Sequence, residues 1–159
     1  MTAGALLSVH VAGAPKAQGS KRGFVVTGQG GKQRAVVVDS AKKPLRDWRS
    51  DVIGAVRTEW AGRVAWTGAV AVRLVFALPR PAKPKDWLPS GRVGDVDKLA
   101  RTILDALEIA GVLCDDAQVC DLSVSKRYPG PAVAQTVPGV LITVARITEP
   151  DVPREAVAS

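Results

Sequence analysis

Eight acidic residues lie between Asp86 and Asp121 of the 159-residue sequence, and five of them form two tight groups: Asp95-Val96-Asp97, and Asp115-Asp116 followed by Asp121. Carboxylates two positions apart in extended backbone project to the same side, and a helix starting at Asp97 would aim its positive N-terminus at that spot. Asp116 stands beyond the far end of such a helix and returns there only if the chain doubles back through Val112–Cys114. Hard divalent cations take oxygen ligands, and Mg²⁺ is typically held by one or two carboxylates with water and phosphate in the remaining positions. That chemistry is phosphodiester hydrolysis. The plainer alternative is that Asp95 or Asp97 caps the helix and Asp115–Asp116 makes a turn.

Other chemistries are poorly supplied. An EF-hand fails because Asp95-Val96-Asp97 has neither a third ligand two residues on nor the central glycine. The one histidine, His10, falls in a strand-like stretch, and core or edge placement is expected for it. Cys114 and Cys120 lack zinc-ligand spacing and are expected to be small buried hydrophobes. Gly28, Gly30 and Gly31 do not lead from a strand into a helix, so they are expected to be turn residues and no small-molecule cofactor is expected.

The elements that would position these aspartates follow from periodicity. Leu6–Val11 predicts a strand, 13–23 a basic loop, and 24–27 with 34–38 a hairpin around the Gly28–Gly31 turn. Leu45, Trp48, Val52, Val56 and Trp60 recur at helical steps after Pro44, and alternation over 69–78 gives the clearest strand. Pro79–Gly94 is an irregular basic connection. A helix is expected from Asp97 to Ala110, ended by Gly111, with Asp97, Lys98, Arg101, Thr102, Asp105 and Glu108 on its polar arc. Strands over 118–128 and 140–147 complete an α+β fold: a single domain over 1–147 with a mixed β-sheet and helices packed against one face, then a flexible tail over 148–159.

The net charge of +7 is uneven. Residues 1–50 carry nine Lys/Arg against Asp39 and Asp47, while the rest of the chain balances thirteen against thirteen. The N-terminal third is therefore the candidate polyanion surface. No apolar run approaches the roughly 20 residues of a membrane span, and the N-terminus lacks a signal-peptide pattern, so a cytoplasmic protein is expected.

The run Gly94-Asp95-Val96-Asp97-Lys98-Leu99, then Leu104-Asp105-Ala106-Leu107, then Gly111 through Asp115-Asp116-Ala117-Gln118-Val119, resembles the RusA family of Holliday junction resolvases. That family carries D-x-D-N, a lysine four residues after the second aspartate, L/F-D-A-L and D-D-x-Q-V. The segment Gly13-Ala14-Pro15 with Gln18-Gly19-Ser20-Lys21-Arg22 is similar to the opening of phage-type members. The resemblance implies Asp95, Asp97 and Asp116 as metal-binding catalytic aspartates, with Asp105 and Asp115 as further acidic positions of the motif. It also implies Mg²⁺ or Mn²⁺ as cofactor, a branched DNA substrate such as a four-way junction, and a homodimer whose two sites cut two strands symmetrically. Lys98 stands where the family has asparagine, and Arg101 where its lysine falls. Arg101 is expected either to bridge Asp97 and Asp105 or to stabilise the phosphate as a catalytic residue. Lys16, Lys21, Arg22, Lys32, Arg34, Lys83, Lys85 and Arg92 are expected to bind DNA. The alternatives are a non-catalytic branched-DNA-binding protein or a nuclease preferring forks or flaps.

Overall fold

A computed structural model describes residues 4–19, 22–38, 43–90, 94–133 and 135–148, with the side chains of 22–24, 36–38 and 132 outside that description. The expected tail, apart from Thr148, lies outside the described residues. Among the described residues there are six strands and two α-helices: β1 (Ala5–Ala12), β2 (Arg22–Thr27), β3 (Gln33–Val38), α1 (Lys43–Trp60), β4 (Val70–Ala77), α2 (Val96–Ile109), β5 (Val119–Arg127) and β6 (Gly139–Arg146). Short 3₁₀ turns lie at Asp116–Gln118 and Pro131–Val133.

The main sheet has the order β1-β6-β4-β5. β6 runs antiparallel to both β1 and β4, whereas β4 and β5 are parallel. Parallel neighbours need a crossover, and α2 supplies it. Alternation along β4 buries Val70, Val72, Leu74 and Phe76 while Arg73 stays exposed, and Val140, Ile142 and Val144 do the same on β6. These side chains meet Trp48, Val52, Val56 and Trp60 of α1 and Leu99, Ile103, Ala106 and Leu107 of α2 in one core cluster. Both helices therefore cover one face of a mixed sheet, the α+β arrangement expected from the periodicities. Each fully buried Leu or Ile in that cluster contributes about 2 kcal/mol through apolar burial.

Arg63 ties α1 to the sheet: its guanidinium donates to the carbonyls of Trp60 (2.9 Å) and Leu6 (3.1 Å) and lies 4.0 Å from the centroid of the Trp60 ring. Among the described residues β2 and β3 pair only with each other, from Arg22 with Val38 to Thr27 with Gln33. Gly30 (φ 94°) and Gly31 (φ 73°) make the left-handed turn between them.

Two expectations need correction. Cys114 and Cys120 are exposed rather than buried. Cys120 lies on the exposed stretch 120–123 of β5, and Cys114 on the turn before that strand, so neither reaches the core. Thr102, expected on the polar arc of α2, is fully buried, because the 14–18 segment lies across that part of the helix. The Thr102 hydroxyl donates to the carbonyl of Lys16 at 3.3 Å, and the Gln18 amide donates to that of Lys98 at 3.1 Å.

Candidate active site

The unit β4–α2–β5 carries the aspartates. β4 ends at Ala77, and after the proline-rich loop the chain re-enters at Gly94. Gly94 has φ +105°, and a Cβ there would sit 3.0 Å from Ala17, so the close approach of the 14–18 segment requires glycine. Lys126 on β5 fixes the same point by donating from Nζ to the Gly94 carbonyl at 3.0 Å. One residue on, Asp95 takes the N-cap position of α2 with extended backbone, and Asp97 falls in the first turn.

At the other end of α2, Ala110 is the C-cap and Gly111 adopts φ +80°. The Gly111 amide donates to Glu108 O (2.9 Å) and the Val112 amide to Leu107 O (3.0 Å), which satisfies the last carbonyls as the chain reverses. Val112 and Leu113 are buried, and Leu113 bridges in parallel to Trp66, so the doubling back through Val112–Cys114 is anchored in the core. Asp115 then caps the Asp116–Gln118 turn: its carboxylate accepts from the Ala117 amide at 2.7 Å. Gln118 completes the box, its Oε1 accepting from the amides of Cys114 (2.7 Å) and Asp115 (3.0 Å), while its Nε2 donates to the carbonyls of Trp66 (2.7 Å) and Gly68 (3.0 Å). The turn that presents Asp116 is thus pinned to the strand-entry segment by one side chain.

Asp97, Arg101 and Asp116 line one cleft of 520 Å³ with Val96, Ala100, Leu104, Leu122 and Val124. The cleft follows α2 from Asp97 to Leu104, about 10 Å at 1.5 Å per residue, and Asp116 with Leu122 and Val124 forms its other side. Asp97, Arg101 and Asp116 are all exposed, and none makes an ion pair or side-chain hydrogen bond among the described residues. Polar groups therefore sit on an apolar floor, open to a ligand.

Asp95 is not in that lining. Its carboxylate pairs with Lys98 Nζ at 3.1 Å, one turn along the helix. Asp105 pairs with Arg49 of α1 at 3.8 Å, so of the two roles open to Arg101 the bridge to Asp105 is not formed and an interhelical contact stands in its place. Among the described residues no three His, Cys, Asp or Glu side chains converge as a metal cluster. The donors in the cleft are two carboxylates, a set that suits a hard divalent cation sharing its shell with water and phosphate.

Of the expected DNA-binding residues, Lys16, Lys32, Arg34, Lys83 and Lys85 are exposed, Lys32 and Arg34 at the hairpin and Lys83 and Lys85 on the loop before Gly94. Lys21, Arg92 and the side chain of Arg22 lie outside the described residues. The sequence reading missed Gln118 and Lys126 as residues that build the site. Gln118 had a signal, its place three residues after the capping Asp115; Lys126 had none, because its partner is 32 residues away. No helix among the described residues is long and apolar enough to cross a membrane. The family model described as endodeoxyribonuclease RusA matches residues 13–145. No curated protein matches the chain.

Proposed function

The chain belongs to the RusA endodeoxyribonuclease family, and on that footing we propose that it resolves Holliday junctions by divalent-metal-dependent hydrolysis, with the cleft between α2 and β5 as its catalytic centre. The observation that carries the reading is the joint placement of Asp97, Arg101 and Asp116 along one cleft large enough for a phosphodiester. Asp97 and Asp116 would hold Mg²⁺ or Mn²⁺, and Asp95, paired with Lys98 in this structure, would be a third carboxylate ligand. A cation so bound supplies Lewis-acid stabilisation of the phosphate and promotes ionisation of the attacking water.

The chain's own residues do the rest. The N-terminus of α2 and the Arg101 guanidinium offset the charge that two carboxylates present to an incoming phosphate. A guanidinium offers a fixed fork of donors rather than a transferable proton, so the part of Arg101 is electrostatic. Water adds to phosphorus in line as the bond to the 3′ oxygen breaks, leaving 5′-phosphate and 3′-hydroxyl ends. Lys16, Lys32, Arg34, Lys83 and Lys85, with Lys21, Arg22 and Arg92, hold the DNA arms through phosphate contacts. A homodimer in the cytoplasm places two such sites on opposing strands.

The test is cleavage of an end-labelled four-way junction with Mg²⁺, with chelator, and by Asp97→Asn. Cleavage should require the metal and be abolished in the variant, while junction binding survives or tightens because a repulsive charge is gone. Metal-independent cleavage, or full activity of Asp97→Asn, refutes the assignment.

A further inference from the structure

Trp87 is 80% exposed, the most exposed aromatic for which the structure gives a value, and it stands on the loop that leads from β4 into the catalytic cleft. An indole left in water forgoes about as much apolar burial as any side chain can offer, so its exposure calls for a partner. The loop around it is not loosely made. Four prolines lie between Pro79 and Pro89, Ser90 Oγ donates to the Asp86 carboxylate, and the Ser90 amide donates to Leu88 O at 2.8 Å. Leu88 is half-buried and Pro89 buried, so the loop turns its neighbouring apolar groups inward and Trp87 outward. At the loop's base, Leu78 N donates to Arg127 O at 2.8 Å, and Arg80 lies 5.3 Å from the Tyr128 ring centroid.

The surroundings select the partner. Arg80, Lys83 and Lys85 are exposed on the same loop as Trp87, and Asp86, the acidic residue between Pro79 and Ser90, is engaged by Ser90. An aromatic face among cations fits nucleic acid, where phosphates meet the charges and a base stacks on the ring. Trp87 precedes Asp97 by ten residues, which limits it to within about 35 Å of that carboxylate along the chain. Within an intact duplex arm every base is already stacked; at a branch point, base-pair faces open to water. We propose that Trp87 stacks on a base exposed at the branch point of the junction and so contributes selectivity for branched over linear DNA. This assignment rests on the junction-cleaving reading above.

The chain carries its own reporter. Trp48 and Trp60 are buried and Trp66 is half-buried against the core under Arg146, so an aqueous quencher such as acrylamide reaches Trp87 first. Quenching would be measured on the full chain in chelator, with no DNA, with a linear duplex and with a four-way junction. The readily quenched component should vanish in Trp87→Ala and be protected by the junction but not by the duplex. Trp87→Ala should bind the junction on the order of 10-fold more weakly, from the loss of one base–aromatic stack, with duplex binding unchanged and most of the deficit recovered by Trp87→Phe. Equal protection by duplex, protection by self-association without DNA, or parental junction affinity in Trp87→Ala overturns the proposal. Junction binding and cleavage with Trp87 still fully quenchable overturns this assignment alone; failure of the parent chain to bind a junction overturns the reading beneath it as well.

Discussion

Replacing Gln118 by alanine removes four hydrogen bonds at once and tests whether the turn before β5 is what holds Asp116 in the cleft. Two of the four, to the amides of Cys114 and Asp115, are exposed, so water takes over and each costs about 0.5 kcal/mol. The other two, to the carbonyls of Trp66 and Gly68, are partly buried, and each costs about 1 kcal/mol. The expected destabilisation is about 3 kcal/mol, or a fall in Tm of roughly 6–12 °C for a domain of this size. Urea and thermal unfolding followed by circular dichroism give both numbers. Gln118→Glu separates the halves: it retains the acceptor for the two amides, loses the donor for the two carbonyls, and should cost about 2 kcal/mol. At a temperature where each variant is fully folded, junction cleavage should fall at least about tenfold as the turn loosens, since small misplacements of a catalytic group are expensive. A loss of stability below about 1 kcal/mol in Gln118→Ala, or unimpaired cleavage by the folded variant, refutes the reasoning.

Arg101→Ala should lower single-turnover cleavage of a four-way junction about 100-fold or more, as expected for a lost electrostatic donor, and leave the melting temperature unchanged because Arg101 makes no ion pair among the described residues. Arg101→Lys should recover much of the rate; an Arg101→Ala rate within about threefold of the parent sinks the catalytic role. Junction binding in chelator should weaken steeply with salt. Replacing Lys32 and Arg34 together by alanine should lower the slope of log affinity against log salt by about 1 to 2, one unit or a little less per lost phosphate contact. An unchanged slope would remove the hairpin from the DNA interface.

The legible parts of this chain were those in which neighbours in sequence decide the outcome. Residues 96–109 carry helical periodicity and end on a glycine, and 70–77 alternate strictly, so helix and strand could be placed to within a residue or two. The reversal through Val112–Cys114 was legible as a geometric requirement, since Asp97 and Asp116 can share a cleft only if the chain turns back. What escaped depends on partners far along the chain. Thr102 looks solvent-facing on a helical wheel until residues 14–18 cover it, and Asp105 looks paired with Arg101 until Arg49 arrives from α1. The cysteines misled because small apolar type alone does not fix burial: Cys120 falls on an exposed stretch of β5, and Cys114 on the turn just after the buried Val112 and Leu113. The pairing of Asp95 with Lys98 was open to reading at i, i+3 but was overshadowed by the expectation of a common metal.

Among the described residues the β2–β3 hairpin pairs with itself and makes no ladder to the four-stranded sheet, so the sequence of its outer half bears little on the stability of that sheet. Residues 25 to 35 are exposed throughout, and the tip is built from glycines rather than from packing. Length and charge can then vary at the tip without unsettling the sheet, and under the proposed function such changes would alter the grip on DNA arms while leaving the cleft as it is. For the same reason the Gly30–Gly31 tip is a natural point for inserting a label or a short foreign segment, because the backbone there contributes little to the folded state.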